Sequence, residues 1–126
     1  MMAQWSKEQL KGFATADDMH VSPFYDDGKT YGTPTWIWSV VNNDKLYVRA
    51  YNGQNSRWYQ SATKQHAGKI KLNGHEYEVS FNDASGNKDL DEQINKAYQN
   101  KYGNSSYCPP MLEAGPISAT VEIEPK

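Results

Sequence analysis

Cysteine is almost absent from this chain of 126 residues, which contains Cys108 alone. One cysteine cannot form a disulfide within the chain, and sparing use of cysteine is typical of a reducing compartment. The first ten residues, MMAQWSKEQL, are polar where a secretion signal has an apolar core. We therefore expect a cytoplasmic protein that folds without disulfides.

Long apolar runs and a strong charge of either sign are also missing. No stretch approaches the roughly 20 apolar residues that a membrane-spanning helix needs, and the net charge is -2. Such a balance gives no general attraction to anionic membranes or to phosphate polymers. We predict neither a membrane nor a nucleic-acid partner, although aromatic side chains on a small barrel are also a known platform for stacking single-stranded bases.

Motifs for metal binding and for covalent catalysis are lacking as well. His20, His66 and His75 lie far apart, and none has a metal-ligand spacing with cysteine or a carboxylate. Cys108 precedes two prolines and has no neighbouring base. No glycine-rich nucleotide loop and no nucleophile elbow occurs. We predict no metal site, assign no catalytic residue, and consider hydrolase and kinase activities unsupported.

The chain does contain regular patterns of apolar residues, which predict one domain over residues 1–126. Ser6 and Gln9 form a capping-box pattern at the start of a helix predicted over residues 7–13. Two further helices are predicted from near Ser56 and from Asp89. Strands are predicted at 19–24, 36–41, 46–51, 69–72, 75–81 and 117–124, with residues 104–116 irregular. Six strands, mostly in antiparallel hairpins, predict a mainly β fold: a six-stranded antiparallel barrel with two or three flanking helices.

The segment from Thr33 to Tyr59 is the most informative part of this pattern. It reads as two strands joined by an Asn-Asn-Asp turn, followed by a glycine turn and a helix start. Because side chains alternate across a strand, Arg49 shares a face with Tyr47 and Tyr51, opposite an apolar face. A charged residue between two aromatic residues makes this face a candidate binding surface.

Arg49 and Arg57 are the only arginines in the chain, and they lie close together in the sequence. Between them, Gly53 permits a tight turn, and Asn55 or Ser56 can cap the helix that follows. A helix start presents unpaired N–H groups, to which an arginine adds a bidentate fork. An anion is therefore one candidate ligand for this region.

A second interpretation of the same residues involves no ligand. Arg57 then lies in solvent in the first turn of the helix, and Trp58 and Tyr59 form the buried face of that helix. The residues alone leave both interpretations open.

The order of these motifs resembles a small bacterial family of the FMN-binding split-barrel superfamily, beside the pyridoxamine-phosphate-oxidase-like flavoproteins and the deazaflavin-dependent nitroreductases. The resemblance extends from about Trp5 to Glu124. It is carried by Pro34 with Trp36 and Trp38, by the run from Leu46 to Gly53, by Arg57 with Trp58 and Tyr59, by the hairpin over residues 68–79 and by the helix end from Ala97 to Gly103.

The resemblance implies a six-stranded split barrel, usually a homodimer, with FMN at the subunit contact. Carried onto this chain, it implies that the flavin ring is flanked by Trp36 and Trp38, and that the other cofactor-binding candidates are Arg49, Tyr51, Gly53, Ser56, Arg57 and Trp58. Nitroreductase-like relatives carry a lysine in the segment that corresponds to residues 52–55, and this chain has none. Oxidase-like relatives have a denser set of basic residues for the FMN phosphate, and a split barrel that has lost its cofactor would look much like this chain. No cofactor is therefore one alternative to FMN, and a deazaflavin is another.

Two functions follow from these observations as expectations. The first is a flavin-dependent oxidoreductase that transfers hydride between FMN and an unidentified small substrate, since a flavin supplies the electron chemistry and needs only an aromatic wall and an anion anchor. The second is a barrel without a cofactor that binds a small molecule or a protein through its aromatic face.

Overall fold

A computed structural model describes residues 5–106 and 108–125. Its strands are β1 (His20–Pro23), β2 (Thr35–Trp36), β3 (Ser39–Asn42), β4 (Lys45–Arg49), β5 (Ala67–Leu72), β6 (His75–Asp83) and β7 (Thr120–Pro125). Its helices are α1 (Lys7–Thr15), α2 (Arg57–Gln65), α3 (Lys88–Tyr102), α4 (Cys108–Met111) and α5 (Ala114–Ile117). The predicted mainly β, barrel-like fold with flanking helices is confirmed.

All seven strands belong to one antiparallel sheet in the order β2-β1-β5-β6-β7-β4-β3. The strands at its two ends, β2 and β3, are consecutive in the chain and are separated only by Ile37 and Trp38. A flat sheet would hold its first and last strands far apart, because neighbouring strands are about 4.8 Å apart. The sheet therefore curls into a half-barrel whose two edges approach each other at these two residues.

The prediction of six strands was wrong because the segment 36–41 is two strands and not one. Thr35 and Trp36 pair with β1, whereas residues 39–42 pair with β4 at the opposite edge. The chain leaves one edge and joins the other at Ile37 and Trp38. The apolar pattern continues unchanged through the crossing, so the sequence gives no sign of it.

The concave side of the sheet encloses the main apolar core. Leu46 and Val48 of β4, and Ala50 directly after it, are fully buried in this core, on the face that the alternation predicted. Part of this core is covered by Phe13 of α1 and by Trp5, which precedes the helix; their rings meet edge to face. The predicted capping box at the start of α1 is confirmed: Gln9 N donates to Ser6 Oγ, and Ser6 N donates to Gln9 Oε1.

A second apolar layer lies on the opposite face of β3 and β4, beneath α3. Its members are Val40, Tyr47, Ile94, Tyr98, Cys108 and Met111. Helix α3 covers β3 and β4 with an apolar stripe, in which Ile94 and Tyr98 are fully buried and Leu90 and Ala97 pack against this layer. Arg49 projects from β4 into this layer because it alternates with the residues of the main core.

The segment predicted to be irregular contains the short helices α4 and α5. Pro109 and Pro110 fall at the start of α4, where proline is tolerated because the first N–H groups of a helix have no partner within it. The last strand begins at Thr120 and not at Ile117, which ends α5.

Gly68 belongs to strand β5 and does not end helix α2. Helix α2 ends at Gln65, and His66, in the left-handed conformation at φ 57°, forms its C-cap. Gly68 lies inside β5 opposite Pro23. A Cβ atom there would come within 2.5 Å of Ser22 O. A glycine at this position therefore allows β1 and β5 to approach closely.

Candidate functional site

An open cavity of about 480 Å³ lies where the chain crosses between the two sheet edges. We call it the aromatic cavity. It is lined by Trp36, Ile37, Trp38, Arg49, Tyr51, Ser105 and Met111. These residues come from the link between β2 and β3, from the end of β4 and from the segment after α3. The curling of the sheet and the packing of α3 and α4 bring them together.

Three aromatic residues form the walls of the aromatic cavity. Trp36 is 58% exposed and Tyr51 is 49% exposed, whereas large apolar side chains are usually covered. Trp36 Nε1 donates to Asp17 O at 2.8 Å, which holds the indole ring in place. Trp38 is stacked on Tyr102 with ring centroids 4.1 Å apart and an angle of 2° between the planes. Two of the walls are thus held in defined positions while Trp36 and Tyr51 remain accessible.

Arg49 lies in the floor of the cavity and is fully buried. Its Nη1 donates to Asn95 Oδ1 at 2.5 Å and to Met111 O at 3.2 Å. Its Nη2 donates to Asp91 O at 3.0 Å, and its Nε donates to Thr120 Oγ1 at 3.4 Å. Arg49 therefore ties β4 to β7, α3 and α4.

The positive charge of Arg49 is retained although the group is buried. Burial lowers the pKa of Arg49 from its ordinary value, while Tyr98 and Asp91 oppose that change. An arginine pKa lies so far above neutrality that the group remains protonated. Its guanidinium carbon also lies 5.5 Å from the centre of the Tyr98 ring. The floor of the aromatic cavity therefore carries a full positive charge.

The eight cofactor-binding candidates divide into two groups. Trp36, Trp38, Arg49 and Tyr51 line the aromatic cavity. Gly53, Ser56, Arg57 and Trp58 are not among its lining residues. Gly53 is buried in a 3-10 turn at φ 69°, and Trp58 is 8% exposed and belongs to the main core. Ser56 is the N-cap of α2.

The two arginines have different surroundings. Arg57 is exposed and lines another groove, with Tyr25, Asp26, Gln60, Ser61 and Lys64. Helix α2, which carries Arg57, packs on β1 and β6, whereas Arg49 lies between β4 and α3. Proximity in sequence therefore did not place them around one anion, and Arg49 uses its N–H groups to bind the protein itself.

Several residues of the site were missed by the sequence analysis. Met111 and Ser105 line the cavity, and Asn95 and Asp91 hold Arg49. Asp91 and Asn95 are four residues apart, so they lie on one side of α3 beside its apolar stripe. The spacing of four residues between Asp91 and Asn95 was the signal in the sequence that α3 offers polar partners to a buried group such as Arg49.

Lys101 supports the wall that contains Trp38. Its Nζ donates to Ser39 O at 2.7 Å and to Phe13 O at 3.0 Å, joining α3 to β3 and α1. Burial lowers the pKa of Lys101 to about 8, and burial raises the pKa of Tyr102 to about 12. These shifts follow from packing, and both groups have structural partners.

An acidic pair, Glu122 and Glu124, lies on the outer face of β7. Glu122 and Glu124 are two residues apart and therefore share a face of the strand. Burial and the hydrogen bond with Glu124 raise the pKa of Glu122 from 4.5 to about 7, while Lys45, with Nζ 3.7 Å from Glu122 Oε1, opposes the change. The folded protein consequently binds a proton here more tightly than the unfolded chain.

Replacing Glu122 by glutamine is expected to make stability less dependent on pH. Because the pKa is raised on folding, the contribution of Glu122 to stability is complete below pH 4.5 and is lost as the pH rises to about 7. At pH 8 Glu122→Gln should be more stable than the parent by about 1 kcal/mol or less, since the group is partly solvated. Urea unfolding at several pH values measures this difference. Exposed Glu92→Gln is the control, and an equal effect of both changes would contradict the expectation.

Two further features of the described residues concern metal binding and membrane spanning. Among residues 5–106 and 108–125, no three His, Cys, Asp or Glu side chains are grouped as a metal site requires. No helix in the same part of the chain combines the length and the apolar character required to cross a bilayer.

Comparison with family models identifies the family of this chain. Among the curated proteins nothing matches the chain. A family described as "Uncharacterized protein conserved in bacteria (DUF2255)" matches residues 9–123, which include every strand but the last two residues of β7. The chain therefore belongs to the DUF2255 family, which is conserved in bacteria.

Proposed function

We propose that the aromatic cavity binds the planar ring of a small heteroaromatic molecule, with FMN as the first candidate, and that the FMN-bound protein is an oxidoreductase for a small substrate. The observation that carries this proposal is the meeting of Trp36, Trp38 and Tyr51 around one open cavity. Its volume of about 480 Å³ lies within the range of about 300–1,000 Å³ for ligand pockets. Aromatic walls favour a flat ring because stacked rings bury a large apolar area.

The residues fit the ring of a flavin better than its phosphate. Trp36, Trp38 and Tyr51 would hold the ring, and bound FMN would supply hydride transfer. The split-barrel likeness implies four phosphate-side candidates: Arg49, Tyr51, Ser56 and Arg57. Four hydrogen bonds, however, commit Arg49 to protein oxygens. Arg57 lines a separate groove. The ring therefore accounts for most of the expected affinity.

The internal bonding of Arg49 favours a second candidate function. A cavity without a built phosphate anchor suits an aromatic molecule that has no phosphate, bound without redox chemistry. In that case the domain is a small-molecule-binding module of the same fold.

The proposal also includes a homodimer with the cavity near the contact, as the split-barrel likeness implies. Trp36 and Tyr51, both about half exposed, are the residues that a second subunit would cover. Sedimentation or light scattering of the purified protein measures the oligomeric state.

Titration with related flavins tests the proposal. Purified protein is titrated with FMN, riboflavin and a deazaflavin while flavin fluorescence is followed. Saturable quenching by FMN and riboflavin with similar dissociation constants is the expected result. Indifference to all three flavins, together with colourless protein, contradicts flavin binding and leaves the module without a cofactor. Arg57→Ala is expected to bind FMN with unchanged affinity. A large loss of affinity would show that Arg57 holds the phosphate.

A further inference from the structure

The charge of the residues that line the aromatic cavity restricts its ligand further. Among the described residues that line the cavity, Arg49 is the only charged one, and none carries a carboxylate. Aromatic faces attract cations, so walls of tryptophan and tyrosine alone would suit an ammonium ligand. A buried guanidinium in the floor opposes a cation and attracts an anion.

The charge of Arg49 is only partly balanced by its surroundings. Its hydrogen-bond acceptors are neutral oxygen atoms of Thr120, Asn95, Met111 and Asp91. Among the described residues Arg49 takes part in none of the ion pairs. The Asp91 carboxylate interacts with it electrostatically, and Asp91 Oδ1 is buried without a hydrogen-bond partner. A positive charge in a low-dielectric floor acts strongly on a ligand that displaces water above it.

The protein as a whole does not attract anions. Its net charge is -2, so a preference for negative ligands has to come from the local charge of Arg49 and not from the general field. The attraction of an anion by Arg49 and by exposed charges also differs in its response to salt, because buried charges are screened less than exposed ones.

We propose that the aromatic cavity selects planar aromatic anions, such as aromatic carboxylates, over neutral and cationic molecules with the same ring. This inference rests on the proposed function, because it assumes that the same cavity holds the ring. Arg49 acts as a specificity-determining residue beneath the ligand.

Three ligands with one ring and different charges test this inference on the unaltered protein. Naphthoate, naphthylmethanol and naphthylmethylammonium are titrated while tryptophan fluorescence or heat is recorded. We expect naphthoate to bind most tightly, with a dissociation constant about tenfold or more below that of the ammonium compound. We expect this ratio to persist in about 1 M NaCl, where the Debye length is roughly 3 Å.

The possible failures are distinguishable. If naphthylmethanol or the ammonium compound binds as tightly as naphthoate, the charge selection is wrong while ring binding stands. If the anion preference disappears at high salt, exposed lysines cause it and the inference is also wrong. If no naphthalene compound and no flavin binds, ring binding itself is overturned.

Arginine variants provide a second measurement. Arg57→Gln removes the exposed arginine outside the cavity, and the anion preference should be unchanged; its loss would overturn the role of Arg49. Arg49→Lys retains a positive charge and should retain the preference where it folds. Loss of the preference in folded Arg49→Lys would also count against the inference.

Discussion

Replacement of Arg49 by methionine is expected to lower the free energy of unfolding by about 3 kcal/mol or more. Methionine fills part of the space but leaves Asn95 Oδ1 and Met111 O without their donor. Each buried acceptor without a partner costs about 1–3 kcal/mol. The effect should therefore be among the largest of any single substitution in this chain.

Urea unfolding followed by circular dichroism measures this loss, with an unchanged dependence on urea concentration as the sign of a native fold. Arg57→Met is the matched control because Arg57 is exposed, and it should change stability by no more than about 0.5 kcal/mol. Arg49→Lys should lie between them, since one ammonium cannot reproduce a fork that reaches three elements. Equal effects of Arg49→Met and Arg57→Met would show that the hydrogen bonds of Arg49 do not stabilise the fold.

Replacement of Trp36 by alanine is expected to weaken ring binding by about 1–3 kcal/mol, which is roughly fivefold to 150-fold. The indole forms an accessible wall of the cavity, and its loss removes one stacking surface. Because Trp36 is 58% exposed, its removal costs the fold little. Affinity and stability should therefore respond differently to this change.

Tyr25→Ala is the matched control for Trp36→Ala. Tyr25 is 47% exposed but lines the groove that contains Arg57. Titration of both variants with riboflavin and with naphthoate, beside their urea unfolding curves, compares the two positions. Unchanged affinity in Trp36→Ala, or an equal loss in Tyr25→Ala, would place the ring outside the aromatic cavity.

The replacements of Arg49 and of Trp36 are expected to affect different properties, stability in the first case and binding in the second. Arg49 is buried and holds four elements together, so its replacement acts on stability first. Trp36 touches solvent, so its replacement acts on binding first. The proposed selection of anions connects them, since it requires the charge of Arg49 and a ring held against Trp36.

Features that depend on neighbouring residues in the chain were predictable. The capping box of Ser6 and Gln9 was correct because it involves residues of a single turn. The turns were also located correctly: Asn43 lies in the predicted Asn-Asn-Asp turn, and Asn73 lies between the strands predicted at 69–72 and 75–81. Both residues have positive φ, as tight hairpins require. The placement of Leu46 and Val48 on the face of β4 opposite to Tyr47 followed from the pleat of a strand.

The crossing at Ile37 and Trp38 was not predictable in the same way. Either arrangement, one long strand or two short ones, satisfies the same apolar pattern. Only pairing with β1 on one side and with β4 on the other decides between them. These partners lie at opposite edges of the sheet, so the crossing is a property of the closed shape.

The sequence by itself determined the mainly β class, most of the helices and strands, and the face of β4 on which Arg49 lies, because these depend on periodicity and short-range hydrogen bonds. Only the tertiary structure decided that Arg49 and Arg57 are separated and that Trp36, Trp38, Tyr51 and Met111 surround one cavity. The physical reason is that the direction of α2 and the curl of the sheet result from packing between distant segments, which no local pattern records.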